Sequence, residues 1–256
     1  MWRPGFWGLG PALLKVRTLP FRDGIIGLCV VLYVGSLLLF RDEGRNTFAE
    51  LSSPSASALL ALGAAGSITT RYLERPETLL TAIFLHASIL HIAFNLVWTW
   101  QLAGTLAELY DSARFLLIFL VSGLVGNIVS VYVATSGILI GASGGVYGLF
   151  GALVYYGFRR GGVFGANVFR FGLFWAGVGF LLSFAVPHCA IWAHVGGFVG
   201  GVAASAALGY QERRRSGPWI CLAAVLAGLA VLAAFVAYIG FPPEGLEAVV
   251  RRMQKG

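Results

Sequence analysis

An all-α polytopic membrane protein is the fold class this sequence predicts, on three observations. Hydrophobic residues make up 58% of the 256-residue chain and charged residues 11%, with mean hydropathy +0.81. A water-soluble domain carries about 25% charged residues, so these polar groups are too few to cover a surface facing water. Seven apolar stretches recur, each near the roughly 20 residues that a helix needs to cross a bilayer. Basic residues gather in alternate connections between them. Together these exclude a cytosolic enzyme, a disordered chain and a disulfide scaffold.

The stretches are 24–40, 79–106, 115–134, 138–158, 164–186, 190–209 and 218–241, and Arg170 is the one Asp, Glu, Lys or Arg inside them. Arg3, Lys15, Arg17 and Arg22 precede the first, Arg159 and Arg160 follow the fourth, and Arg213, Arg214 and Arg215 follow the sixth. These connections share one side, which the excess of Lys and Arg in inner loops makes cytoplasmic. The 41–78 loop holds four Arg against five acids and lies outside. With seven spans the C-terminus lies outside too, where Arg251, Arg252 and Lys255 run against the rule. The chain thus divides into a cytoplasmic segment 1–22, a six-span domain 23–210, an additional helix 218–241 and a polar tail 242–256. Residues 1–22 lack the sustained apolar run and small-residue cleavage site of a signal peptide, and the absence of a transit-like region points to a bacterial plasma membrane.

The net charge of +7 fits inner-loop arginines, and no nucleic-acid-binding motif accompanies it. Cys29, Cys189 and Cys221 sit in or beside apolar runs and read as small buried hydrophobes. The 41–78 loop is too long for a simple connector. Its Leu51, Leu59, Leu60 and Leu62 suggest that it lies in the interface.

Polar groups inside a membrane are costly and therefore functional candidates. The second span holds His86, His91 and Asn95, the fourth opens Gly141-Ala-Ser143-Gly144-Gly145 and continues to Tyr147, and the sixth holds His194. Glycines around Ser143 permit a non-helical approach to a helix N-terminus, whose unpaired N–H groups suit an oxyanion. His194 and Ser143 both lie one to two turns below the outer surface, so a neutral imidazole could take the serine proton. Gly197 and Gly201 let another helix come close on the His194 side. Tyr147, at i+4 from Ser143, could stack on the imidazole. No span offers an acid as a third member, so a hydrolase here would use a dyad. His91 and Asn95, at i and i+4, read as donors to an oxyanion together with the Ser143 N–H. His86, about 140° round the helix from His91, forms no ready metal site with it. Neither a His-Glu-x-x-His motif nor a pair of intramembrane Asp residues is present, and no metal or cofactor is implied. Each residue also has a plainer role open to it: small-residue packing for the Ser143 helix, a carbonyl partner for His194, packing for Tyr147, interhelical bonds for His91 and Asn95.

Taken together, His86-Ala-Ser-Ile-Leu-His91-Ile-Ala-Phe-Asn95, Gly141-Ala-Ser143-Gly144 with Tyr147, and His194-Val-Gly-Gly197-Phe-Val-Gly-Gly201 resemble the rhomboid intramembrane serine proteases over residues 70–210. The resemblance implies a rhomboid-like helical bundle of six plus one transmembrane helices. It implies Ser143 as nucleophile, His194 as general base, and an oxyanion hole of His91, Asn95 and the Ser143 N–H. Tyr147 would pack on His194, Gly141, Gly144, Gly197 and Gly201 would permit close approach, and His86 would be supportive. Substrates would be single- or multi-span membrane proteins within the lipid bilayer, cut beside a small residue in a helix weakened by Gly or Pro. The fifth span, rich in Phe and Gly, would be the gate. Two departures stand out. The Trp-Arg pair of many rhomboids is replaced by Glu74-Arg75-Pro76-Glu77, and Ala82 stands where some members have another His. A catalytically inactive rhomboid-like binding factor is the alternative within the fold, and a small transporter with a proton-relay histidine is the alternative outside it.

Overall fold

The computed structural model describes residues 19–38, 47–134, 137–212, 215–246 and 248. Its elements follow in order. Helix α1 is Pro20–Leu38, and three short pieces follow in the first long loop: α2 (Phe48–Leu51), α3 (Ala56–Ala61) and a π-turn at Ser67–Tyr72. Helix α4 (Thr78–Thr81) runs into a 3₁₀ turn at Ala82–Phe84. The long helices α5 (Ile89–Leu109), α6 (Ser112–Val133), α7 (Ser143–Arg160), α8 (Gly162–Ser183), α9 (Ile191–Leu208) and α10 (Pro218–Gly240) complete the chain. Among the described residues there is no strand, only an isolated bridge between Ala65 and Leu139.

Helices α1, α6, α8, α9 and α10 are each long and apolar enough to cross a membrane, and α4 with its 3₁₀ turn forms a sixth candidate with α5, bent by 91°. Large apolar side chains point outward along them, among them Val31, Phe174, Leu181 and Val236. Such a surface needs lipid around it, and the chain is an integral multi-pass membrane protein. Helix α7 is the exception in composition, with a glycine-rich face and Arg159 and Arg160 in its last turn. Its neighbours enclose it, so it presents little of that face to lipid.

Glycine decides how the centre closes. Lipid tails are as apolar as leucine, so helices in a bilayer associate through close packing rather than hydrophobic burial. At Gly197 on α9 a Cβ would lie 2.8 Å from the Gly144 Cα of α7, and at Gly201 it would lie 2.5 Å from the Gly148 carbonyl carbon. Only hydrogen fits at either position. Helix α6 closes the other flank of α9, with Gly126 against the Ala193 carbonyl.

The first long loop folds back onto the bundle. Leu59, Leu60 and Leu62 are buried there, whereas Leu51 is exposed. Thr81 Oγ1 donates to Gly63 O at 2.5 Å, Thr69 Oγ1 to Ala64 O at 2.6 Å, and Thr70 and Thr78 share a hydroxyl bond of 2.8 Å. Where the resemblance would place a Trp-Arg pair, Arg75 reaches the end of α10. It donates to Phe241 O at 2.6 Å and Ala237 O at 3.2 Å, and lies 5.1 Å from the Tyr238 ring centroid. The loop is thereby tied to the end of α10.

Two expected spans change shape. The second is not one continuous helix, because Leu85 is extended and Ser88 starts α5 afresh as its N-cap, accepting from His91 N at 3.2 Å. The fourth becomes helical only at Ser143. Before it, Leu139 pairs with Ala65 and Gly141 N donates to Ala82 O at 2.9 Å, so backbone groups that a helix would use are engaged elsewhere. The cysteines also divide: Cys29 is buried, Cys189 is half-buried and Cys221 is exposed on α10. An outward position on a lipid-facing helix suits a small apolar thiol, so burial was the wrong expectation for Cys221. Arg3, Lys15, Arg17, Arg213, Arg214, Arg251, Arg252 and Lys255 lie outside the described residues, as do residues 1–18 of the N-terminal segment and most of the tail.

Candidate active site

Ser143 is the first residue of α7. Gly141 reaches it with φ +121°, a conformation that L side chains rarely adopt, and a Cβ there would lie 2.7 Å from His91 Nε2. The first helical bond of α7 runs from Val146 N to Ala142 O. The N–H groups of Ser143, Gly144 and Gly145 therefore have no partner within the helix, and they form a donor-rich end beside the serine hydroxyl.

The glycine seam brings α9 alongside. His194, in its first turn, sets Nε2 2.8 Å from Ser143 Oγ. Tyr147, one turn below Ser143, lies flat on the imidazole with ring centroids 4.3 Å apart and planes 12° apart. Nδ1 of the same ring lies 2.9 Å from the hydroxyl of Ser183, the last residue of α8. The sequence reading missed Ser183. An isolated serine in a helix can bond its own backbone, and Ser183 does so, donating to Gly179 O at 2.9 Å. No local signal tells that its oxygen also faces a histidine from another helix.

His91 and Asn95 stand on α5, with His91 Nε2 beside the Gly141 turn that leads to Ser143. Ala87 N–H points at His91 Nδ1 from 3.4 Å. With Nδ1 as acceptor, the ring proton belongs on Nε2, the atom facing Gly141. Asn95 is buried and one of its amide hydrogens goes to His91 O at 2.9 Å, which leaves its second hydrogen as a donor. His86 departs from expectation. It sits in the break before α5, not on that helix, so the 140° separation does not apply. Its ring meets that of His91 edge-on, with centroids 5.1 Å apart. Among the described residues neither His86 nitrogen has a hydrogen-bond partner, and no three His, Cys, Asp or Glu side chains converge as a metal site would need.

Thus Ser143, His194, Tyr147, His91 and the Gly141 turn meet at one point, with Gly144, Gly197 and Gly201 directly behind. Asn95 adjoins through His91, and His86 stands one ring further out. The arrangement can move a proton from a hydroxyl to an imidazole and can offer N–H donors to a developing negative oxygen.

The family profile described as Rhomboid domain matches residues 74–211. The chain is 37% identical over 157 residues to the Rhomboid protease GluP of Bacillus subtilis (strain 168), covering 60% of this chain and 30% of that protein. It is 32% identical over 139 residues to the Putative rhomboid protease YdcA of the same organism, covering 54% of this chain and 69% of the relative. With the Rhomboid protease GlpG of Serratia proteamaculans (strain 568) it shares 31% over 197 residues, covering 74% and 63%. Its span of these curated relatives therefore runs from under a third to just over two thirds of their length.

Proposed function

The chain belongs to the rhomboid family, and from that premise we propose that it is an intramembrane serine endopeptidase that cuts transmembrane segments of membrane-protein substrates. The observation that carries this reading is the 2.8 Å approach of His194 Nε2 to Ser143 Oγ at the glycine-tight seam.

The chemistry follows from the residues. Ser143 Oγ attacks the scissile carbonyl while His194 Nε2 takes its proton. The carbonyl oxygen becomes an oxyanion, held by the Ser143 N–H, the His91 Nε2–H and the free Asn95 amide hydrogen. His194 returns the proton to the leaving amine, and the acyl group stays on Ser143. Water then attacks the acyl carbon as His194 takes its proton, the bond from that carbon to Ser143 Oγ breaks, and His194 returns the proton to Ser143 Oγ as the acid leaves. Lipid excludes water, so the polar walls at His91, Asn95, Ser143 and His194 serve as its channel from the outer face. A substrate helix hides its carbonyls in its own hydrogen bonds. It must unwind first, which favours Gly or Pro near the cut and a small residue before it, because the glycine-lined turn at Gly141 is narrow. The end of the bundle bearing Arg22, Arg114, Arg159 and Arg160 faces the cytoplasm in this reading. Residues 23–210 are its catalytic unit and α10 is an addition.

The test is cleavage of a single-span substrate by the purified protein in detergent, beside Ser143→Ala and His194→Ala, together with labelling by a fluorophosphonate. Cleavage and labelling should vanish in both variants, a drop of more than about a thousandfold. Labelling that survives Ser143→Ala would show another nucleophile. A parent that neither cuts nor labels would point to the non-catalytic binding role.

A further inference from the structure

We propose that Ser183 is a positioning residue for the dyad: its hydroxyl holds His194 in the one tautomer able to take the Ser143 proton. The inference rests on the Ser143–His194 reading above and adds a third helix to it.

A serine hydroxyl has one proton to give and two lone pairs to receive with. Ser183 Oγ lies 2.9 Å from Gly179 O, which can only accept, and in our proposal the Ser183 proton goes there. The same oxygen lies 2.9 Å from His194 Nδ1. With its proton spent on Gly179, Ser183 meets Nδ1 as an acceptor, and the contact is a hydrogen bond only if Nδ1 carries hydrogen. Nε2 is then bare, and Nε2 is the atom 2.8 Å from Ser143 Oγ. The opposite tautomer would need the Ser183 proton to leave Gly179 O for Nδ1, and it turns Nε2 into a donor. Ser143 would then keep its proton during attack.

Burial gives this bond its weight. Ser183 is 5% exposed and His194 6%, so water competes poorly for Nδ1. Among the described residues no carboxylate bonds the imidazole, and the role that an acid plays elsewhere falls to a neutral hydroxyl. Tyr147 cannot fill that role. Its stack fixes the plane of the ring, but a ring face does not distinguish which nitrogen holds the proton. The two contacts divide the task, plane to Tyr147 and tautomer to Ser183.

Histidine tautomers are read by ¹⁵N NMR on the full-length protein in detergent micelles, with the His194 signal assigned by its absence from His194→Ala. Parent protein should show hydrogen on Nδ1 of His194. Ser183→Ala should move it toward Nε2, slow fluorophosphonate labelling of Ser143 about tenfold, and lower kcat with KM little changed. Ser183→Thr keeps the hydroxyl and should restore tautomer and rate together. A parent His194 with bare Nδ1 overturns the proposal, as does a Ser183→Ala variant with unchanged tautomer and rate. Should Ser183→Ala fail to fold, the parent tautomer and the threonine variant decide. If Ser143→Ala still labels, the dyad itself falls; if it does not and Ser183→Ala behaves as the parent, only the role of Ser183 falls.

Discussion

Helices α8 and α9 flank α7 from two sides, and they are held in opposite ways. Of the apolar stretch of α9, 44% is buried, against 22% for α8. Helix α9 meets α7 glycine to glycine, with no side chain between them at Gly197 or Gly201. Helix α8 meets α7 backbone to backbone near its start, where Gly157 and Gly165 meet, and further along through side chains, with Gly172 against Leu153 and Val154 and Gly179 against the Tyr147 hydroxyl. Toward its far end Leu181, Leu182, Phe184 and Val186 face outward. Both helices nevertheless deliver a group to the same imidazole region. The seam fixes the distance between nucleophile and base. The more exposed helix supplies the hydroxyl beside Nδ1. Glycine-tight packing thus sets the reacting atoms, and a more lipid-exposed helix holds a contact to the base.

The sharpest way to break this contrast is to put the same side chain on each helix. Gly197→Leu must push α9 off α7. Overpacking of this kind costs about 1–3 kcal/mol, and a shift of about 1 Å at a reacting pair costs about a hundredfold in rate. Gly177→Leu on α8 enters open space, with nothing within 4 Å of its Cβ, and should change stability by no more than about 0.5 kcal/mol. Thermal unfolding in detergent and fluorophosphonate labelling of both variants read the difference. Equal losses would mean that α8 is as firmly seated as α9.

A comparable loss, on a different axis, belongs to Asn95→Ala. The one side-chain hydrogen bond of Asn95 among the described residues goes to His91 O, and its second amide hydrogen is available for the oxyanion. Removing one such donor costs about a hundredfold in kcat, with KM and thermal stability nearly unchanged. A variant that loses stability instead would assign Asn95 to holding α5 through His91 O. The pH profile should be smaller in reach and clear in sign. Only neutral imidazole accepts a proton, so kcat/KM should fall as pH is lowered through the His194 titration, and among the described residues no carboxylate bonds the imidazole. A kcat/KM that rises as pH is lowered would remove His194 as the base.

How much of this was legible in the chain depends on whether the signal was local. The spans were, because apolar runs need no tertiary information. So were Ser143, His194 and Tyr147, since glycine flanks and i+4 spacing put them at one depth. The break before α5 was written locally too, as Ser88 ahead of an apolar run, but the run of hydrophobic residues across 79–106 concealed it. With the break missed, helical geometry was applied to His86 where no helix exists. Ser183 had no local signal. Its role arises from the meeting of α8 with α9, and one sequence carries that meeting only in its folded form. The bond from Arg75 to the end of α10 spans 166 residues and was equally invisible.

That bond gives the smallest effect and extends the contrast to a third helix. Helix α10 resembles α8 in having 22% of its apolar stretch buried. It too is held at one end by polar contacts, here from Arg75 to two carbonyls and from Tyr238 Oη to Leu60 O at 2.8 Å. Arg75→Ala removes the guanidinium but leaves the Tyr238 bond and the buried leucines of the loop. Two hydrogen bonds from a charged donor at a partly exposed site are worth about 1–2 kcal/mol in all. The variant should unfold a few degrees earlier, while fluorophosphonate labelling of Ser143 should stay within about twofold of the parent. That outcome would separate the two loosely packed helices, one whose tether reaches the imidazole and one whose tether reaches only the loop. A larger drop in labelling would mean that the loop transmits its position through the Ala65–Leu139 bridge to the turn at Gly141. In that case α10 would belong with α8 as an element that sets the site rather than surrounds it.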